Sequence, residues 1–311
     1  MGVHLRWFRQ KRMSGMVGVE IRPDMIGLAW AKRNRTSSQL ELVGLSGQSA
    51  SAAQRKTVLG EMVTSAALKG AHCNLVLPPD QYQMFQIERP AVEESELADA
   101  LRWKVKDLID YPVDDAVIDA FSFPADAVRG RTPLLNVICA RKAMLMDQIN
   151  LLKEVGLTVH SIDISELVLR NIAMRFDPDA KGIALLYLRG SQGMVLMCKG
   201  DTLYFYRRVE FDVEALNDLS RQEELVQQLA LQVQRSLDYY ESQMGQIPPA
   251  QLILFKVSDE VALGLQLGSY LAVKVRELDQ SELLADSVEI NVSLNDGLIA
   301  IGAALRQELS S

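Results

Sequence analysis

The chain has 311 residues, 48% hydrophobic and 23% charged, with a net charge of −7. That length suits two domains with a core each, while the negative balance argues against general nucleic-acid affinity. No uninterrupted apolar run approaches the roughly 20 residues that span a bilayer, and none follows the N-terminal charges as in a secretory signal, so the expected place is the cytosol or the cytosolic face of a membrane.

Met1 to Met13 holds Arg6, Arg9, Lys11 and Arg12 with no acid, beside Leu5, Trp7 and Phe8. Residues 1–15 therefore read as a basic tail ahead of the first strand, or as a weak anchor on anionic lipid, where each cation adds about 1 kcal/mol. Val17 to Ile21 and Met25 to Trp30 are apolar runs around the polar turn Arg22-Pro23-Asp24, which predicts a hairpin, with a third strand at Leu40 to Leu45. Val58, Met62 and Ala66 give helical spacing within Ala52 to Lys69, stopped by Gly70.

A strand at Asn74 to Leu77 breaks at Pro78-Pro79, and Tyr82 to Ile87 alternates as a strand does. Pro90 and the acids Glu93, Glu94 and Glu96 open a helix whose stripe is Leu97, Leu101, Val105 and Leu108; negative charge in its first turn suits the helix dipole. It stops before Tyr111-Pro112. Strands are expected at Val117 to Phe123 and Leu134 to Ala140, joined around Gly130, then a helix from Lys142 to Val155, a strand from Thr158 to Ile164 and a helix from Ser165 to Phe176.

The opening pattern then returns. Ile183 to Leu188 and Met194 onward flank the turn Arg189-Gly190-Ser191, and a third strand is expected from Leu203 to Phe211. A long helix, Ser220 to Met244, carries Leu225, Leu229, Val233 and Leu237 on one stripe. A strand (Leu252 to Val257), a helix (Asp259 to Leu271), a strand (Val273 to Leu278) and a helix (Leu298 to Leu309) close the chain. A duplicated hairpin opening two successive domains predicts two lobes with a cleft: 16–73 and 156–180 for the first, 74–155 inserted into it, and 181–311 for the second.

Conventional catalytic signals are missing. Cys73, Cys139 and Cys198 sit singly in strand-like runs, and His4, His72 and His160 are scattered, so no metal-ligand spacing arises. No nucleophile elbow, P-loop or Cys/His pattern is present. Asp163 and Glu166 are an acid pair by sequence alone, and the favoured role for Asp163 is to cap the following helix.

Three stretches carry a resemblance. Glu96 to Asp119 has a helix, the break Ile109-Asp110-Tyr111-Pro112 and an acidic strand entry. Ala140-Arg141-Lys142 starts a helix that ends at Gly156-Leu157, before a strand reaching Asp163. Val233-Gln234-Arg235-Ser236-Leu237-Asp238-Tyr239-Tyr240 is the most specific. In this order they resemble the PilM family of type IV pilus assembly, over most of Val17 to Arg306. The short insert between Phe211 and Ser220 is similar to the branch serving mannose-sensitive haemagglutinin (MSHA) pili.

The resemblance implies an α/β, actin-like (ribonuclease H-like) two-lobed fold with an inserted α/β subdomain in the first lobe. It also implies a nucleotide cleft, and here that cleft reads as vestigial. The family's first turn resembles Asp-Ile/Leu-Gly-Ser/Thr, whereas this chain has Glu20-Ile21-Arg22-Pro23; proline removes an N–H donor and an arginine fills space that a glycine leaves open. The second turn has Tyr187 in place of an acid and Arg189 in place of a glycine, before Gly190 and Ser191. Where the family has a glycine-rich adenosine loop, this chain has Phe255-Lys256-Val257-Ser258-Asp259.

No cofactor is therefore expected: Mg-ATP should not bind and the protein should not be an enzyme. Arg22 and Arg189 could instead hold another anion, but pairing with Glu20, Asp24 or another acid is favoured. The partner implied is the cytoplasmic N-terminal tail of a bitopic PilN- or MshJ-like inner-membrane protein, received by the insert near Arg102, Trp103, Lys106 and Tyr111. Trp103 sits about 200° round the helix from Leu101, off the core stripe. The assembly ATPase is a second candidate partner, and association with the membrane would be peripheral. The rival readings are an ATP-gated switch and the cytoplasmic half of a type II secretion platform protein.

Overall fold

The computed structural model describes residues 15–33, 40–127, 132–258, 260–284 and 288–306. The basic Met1 to Met13 stretch, the loop around Gly130, Asp259 and the last residues of the expected final helix lie outside them. In chain order come β1 (Gly15–Ile21), β2 (Met25–Arg33), β3 (Leu40–Ser49), α1 (Arg55–Ser65), β4 (His72–Leu77), β5 (Tyr82–Glu88), α2 (Leu97–Val105), β6 (Ala116–Ser122), β7 (Leu134–Arg141), α3 (Lys142–Glu154), β8 (Thr158–Ile164) and α4 (Ser165–Ala173). There follow β9 (Ile183–Arg189), β10 (Gln192–Lys199), β11 (Thr202–Glu210), α5 (Leu219–Ser242), β12 (Gln251–Phe255), α6 (Leu263–Gly268), β13 (Lys274–Leu278), β14 (Glu289–Ile290) and α7 (Leu294–Ala304). No described helix is long and apolar enough to cross a membrane.

Two compact units emerge. The first holds the residues up to Leu77, Ile149–Val168 and the segment from Leu283 onward. Its sheet runs β14-β3-β2-β1-β4-β8, with β1, β2 and β3 antiparallel and β4 and β8 parallel to β1. Across it lies α7, buried at every position from Gly297 to Ala304, as befits a helical stretch that is apolar all round. Gly18 on β1 makes this packing possible: a Cβ there would stand 1.9 Å from the Ala300 carbonyl oxygen.

The C-terminal segment corrects the expected boundaries. Residues 283–306 do not complete the second lobe; β14 pairs with β3, Glu289 opposite Gly44, and α7 covers the first sheet. Periodicity shows that a helix is apolar, not which sheet it will cover. The expected helix at 298–309 also starts earlier, at Leu294, because Ser293 caps it and accepts from the Asp296 N–H.

The second unit, Pro78–Gln148 with Leu169–Glu282, contains two sheets. The larger runs β11-β10-β9-β12-β13, with β9, β10 and β11 antiparallel and β12 and β13 parallel to β9. On it α5 buries Val226, Leu229, Val233 and Leu237. The smaller runs β5-β7-β6, all antiparallel, and packs Ile87, Val137 and Cys139 against Leu101 and Val105 of α2.

Here too the expected insert, 74–155, shrinks. Asn74 to Leu77 belong to β4, held between β1 and β8 of the first unit. The expected stripe also changes at its end: α2 stops at Val105, so Leu108 is 48% exposed and Ile109 takes the core place.

Both large sheets thus repeat one plan: three antiparallel hairpin strands in the order 3-2-1, then two strands parallel to the first. That plan, used twice with a small α/β block between the copies, is the actin-like, ribonuclease H-like fold.

Candidate functional site

The first hairpin turn lies in the first unit, and its backbone is already committed. The Arg22 N–H donates to the Met25 carbonyl at 2.9 Å, and Pro23 has no N–H to offer. Glu20 is fully buried. The Arg22 guanidinium stands 3.8 Å from Glu20, 3.7 Å from Asp24 and 3.2 Å from Asp296. Asp24 was a foreseeable partner from its place in the turn. Asp296 was not, because only the packing of α7 brings it there. Arg55 closes the corner further, donating to the Arg22 carbonyl at 3.0 Å.

The second hairpin turn lies in the other unit. Gly190 takes a left-handed φ of +56°, and its carbonyl accepts from the Val213 N–H at 2.8 Å, while that of Ser191 accepts from Phe211 at 3.4 Å. Ser191 itself is exposed. Tyr187 is buried, and the Arg189 guanidinium lies 5.5 Å from its ring centroid. After β12 the chain leaves through Lys256, whose N–H donates to Leu278 at 2.9 Å.

Asp163 has a different role from the expected one. Its Oδ1 accepts from the adjacent Ile164 N–H at 3.0 Å, and its Oδ2 from Arg306 at 2.6 Å, so it does not cap α4. Burial, with nothing to stabilise a thiolate strongly, pushes Cys73 and Cys198 up to about 12 and Cys139 up to about 11. These thiols are packing residues.

The expected partner surface divides in two. Trp103 is 74% exposed on α2, with Lys106 Nζ 5.5 Å from its ring, so an aromatic face and a cation form one patch. Arg102 and Tyr111 instead organise the turn that follows. Arg102 donates to the Val113 carbonyl at 3.0 Å and to Asp114 at 3.1 Å. The Tyr111 ring stacks under the Arg141 guanidinium at 4.1 Å, and Arg141 pairs with Asp110 at 3.3 Å. Burial raises the pKa of the Tyr111 hydroxyl, which has no hydrogen-bond partner among the described residues. Arg141 was missed as a site residue; it stands in the Ala140-Arg141-Lys142 stretch of the resemblance, which marks the start of a helix and not a contact with Tyr111.

No family model matches the chain, and neither does any curated protein. Solved structures do match. The chain is similar to the PilM-PilN type IV pilus biogenesis complex with a TM-score of 0.71 and 17% identity, over 95% of this chain and 98% of that one. It is similar to the cytoplasmic domain of EpsL, an inner-membrane component of the type II secretion system of Vibrio cholerae, with a TM-score of 0.52 and 16% identity, over 95% and 97%. A Bacteroides thetaiotaomicron protein with an actin-like ATPase fold matches with a TM-score of 0.48 and 10% identity, over 92% and 95%. What these likenesses share is fold.

Proposed function

We propose that this chain is a non-catalytic scaffold of an inner-membrane type IV pilus assembly platform, of the MSHA type and similar in role to MshI. It captures the short cytoplasmic N-terminal tail of a single-span PilN- or MshJ-like protein and stays on the cytoplasmic side, peripheral to the membrane. The assembly ATPase is a further candidate contact.

The observation that carries the scaffold reading is the first turn. A phosphate grip needs free backbone N–H groups, close approach and a carboxylate that can order magnesium through water. Here the Arg22 N–H is used, Pro23 has none, and Glu20 is sealed behind the Arg22 guanidinium. The full-length likeness to a complex of PilM with PilN supports the tail-binding part. A disordered tail must repay its ordering entropy from a few anchors, and Trp103 with Lys106 offers an aromatic and a charged contact on a rigid helix.

Calorimetric titration with Mg-ATP tests the first part. Silence up to millimolar nucleotide is expected; saturable micromolar binding would overturn the scaffold reading and favour an ATP-gated switch. Titration with synthetic tails of PilN- and MshJ-like proteins tests the second, with micromolar binding expected.

A further inference from the structure

We propose that β6 receives the partner tail as a fourth strand of the small sheet, an extended peptide rich in lysine or arginine and held by main-chain hydrogen bonds. This mode of binding rests on the tail-capture reading above. The sheet runs β5-β7-β6, so among the described residues β6 has a strand on one side only. The Phe123 N–H donates to the Leu134 carbonyl at 2.9 Å, and in the alternating antiparallel ladder Val117, Asp119 and Phe121 face β7 in the same way. Ala116, Ile118, Ala120 and Ser122 therefore turn their N–H and carbonyl groups outward.

Two of these donors are met close by. The Ala116 N–H bonds the Val113 carbonyl, and the Ala120 N–H bonds the Asp119 carboxylate at 2.8 Å, which sets that carboxylate on the edge itself. The N–H groups of Ile118 and Ser122 have no partner among the described residues. Proteins commonly blunt such an edge with lysine, proline or a bulge, and β6 has none of these. At its exit, Gln246 donates to the Asp126 carbonyl at 3.2 Å and so holds nearby the loop on which Ile247 is 90% exposed. At its flank lies α2, the helix that bears Trp103.

Charge selects the occupant. From Asp107 to Asp126 the chain carries six acids and no base. Arg141 and Arg102 offset Asp110 and Asp114, but Asp115 and Asp119 stay exposed along the strand and its entry. Such an edge attracts a cationic strand and repels an acidic one, including β6 of a second copy. Cytoplasmic segments beside a membrane span carry an excess of lysine and arginine, so the tail of a single-span partner has the matching charge.

The test titrates the full-length chain with synthetic tails of PilN- and MshJ-like proteins, then with the same peptides carrying one N-methyl group moved along the backbone. Each methyl removes one main-chain donor, so affinity should fall about tenfold at every second position of the paired stretch. Hydrogen exchange in the complex should slow about tenfold at Ile118 and Ser122, and far less at Val117 and Asp119, which already bond β7. Asp119→Lys should keep the fold by circular dichroism yet weaken the tail about tenfold, and exchanging tail cations for glutamate should recover the loss. A bound tail with no period of two, or protection confined to another element, would overturn strand addition and leave tail capture standing. Indifference to both charge changes would likewise overturn it, while silence from every unmodified tail would remove both readings.

Discussion

Arg306, two residues past the end of α7, donates to Asp163 near the end of β8 at 2.6 Å, on a carboxylate whose side chain is only 3% exposed. The pair fastens the C-terminal segment to a strand 143 residues earlier in the chain. Replacing Arg306 with methionine leaves that carboxylate buried with the neighbouring Ile164 N–H as its remaining hydrogen-bond partner among the described residues. Because Arg306 is itself partly exposed, the expected loss is about 2 kcal/mol, below the usual cost of breaking a fully buried pair. Urea denaturation measures it. Adding Asp163→Asn should cost less than the two single losses summed, since the unpaired charge is then gone.

Gly18 and Gly60 predict opposite outcomes for the same substitution. A methyl at Gly18 would stand 1.9 Å from the Ala300 carbonyl oxygen and 2.6 Å from the Ala304 nitrogen, both backbone atoms of α7. Gly18→Ala must therefore push the helix off β1, and a loss above about 3 kcal/mol is expected. At Gly60, inside α1, the nearest atom to a new Cβ is 3.8 Å away. Gly60→Ala should stabilise by about 0.5–1 kcal/mol through helix propensity alone. Equal thermal midpoints for the two variants would refute the account of α7 packing.

Local elements were legible and long-range ones were not, for a physical reason. Strand β8 falls at Thr158–Ile164 as expected, because alternation bounded by glycine and a helix start is written locally. The two-residue β14, and its place beside β3, could not be read: two residues carry no period, and the pairing is chosen by what α7 covers. The same gap separates the halves of the candidate site. The turn chemistry at Arg22 and Pro23 was visible as residue types, while the Asp296 contact needed the tertiary fold. Trp103 could be placed off the core stripe from spacing, but Leu108 was misplaced because α2 ends before completing the turn that would have buried it.

Two neighbours on α2 should separate stability from binding. Val105 is fully buried against the three-stranded sheet, so Val105→Ala should cost about 2 kcal/mol in unfolding free energy. Trp103 faces out, so Trp103→Ala should change stability by no more than about 0.5 kcal/mol. On the proposed function, Trp103→Ala should nonetheless weaken binding of the partner tail about tenfold, as a truncated anchor does. Unchanged affinity in a titration of the folded Trp103→Ala variant would remove Trp103 and its Lys106 neighbour from the partner surface.

Within the second unit, the block carrying α2 is tied to the larger sheet by Tyr204, whose hydroxyl donates to Asp126 at 3.0 Å. Its ring meets Tyr240 edge-on, with centroids 6.1 Å apart. Burial, helped by the hydrogen bond to Asp126, pushes Tyr204 up to about 12, and burial raises Tyr240 as well. Both folded values lie above the ordinary tyrosine value of about 10. The stability that the neutral hydroxyls contribute is therefore complete below about pH 10 and is lost as pH rises through about 12. An alkaline titration followed by tyrosinate absorbance and circular dichroism should show exposed tyrosines ionising first, with a late group that ionises as the fold is lost. Tyr204→Phe should cost about 1 kcal/mol at neutral pH and shift the alkaline unfolding midpoint upward, because one ionisation that opposes folding has been removed. A single early ionisation step with the fold intact would show that the tie is open to solvent.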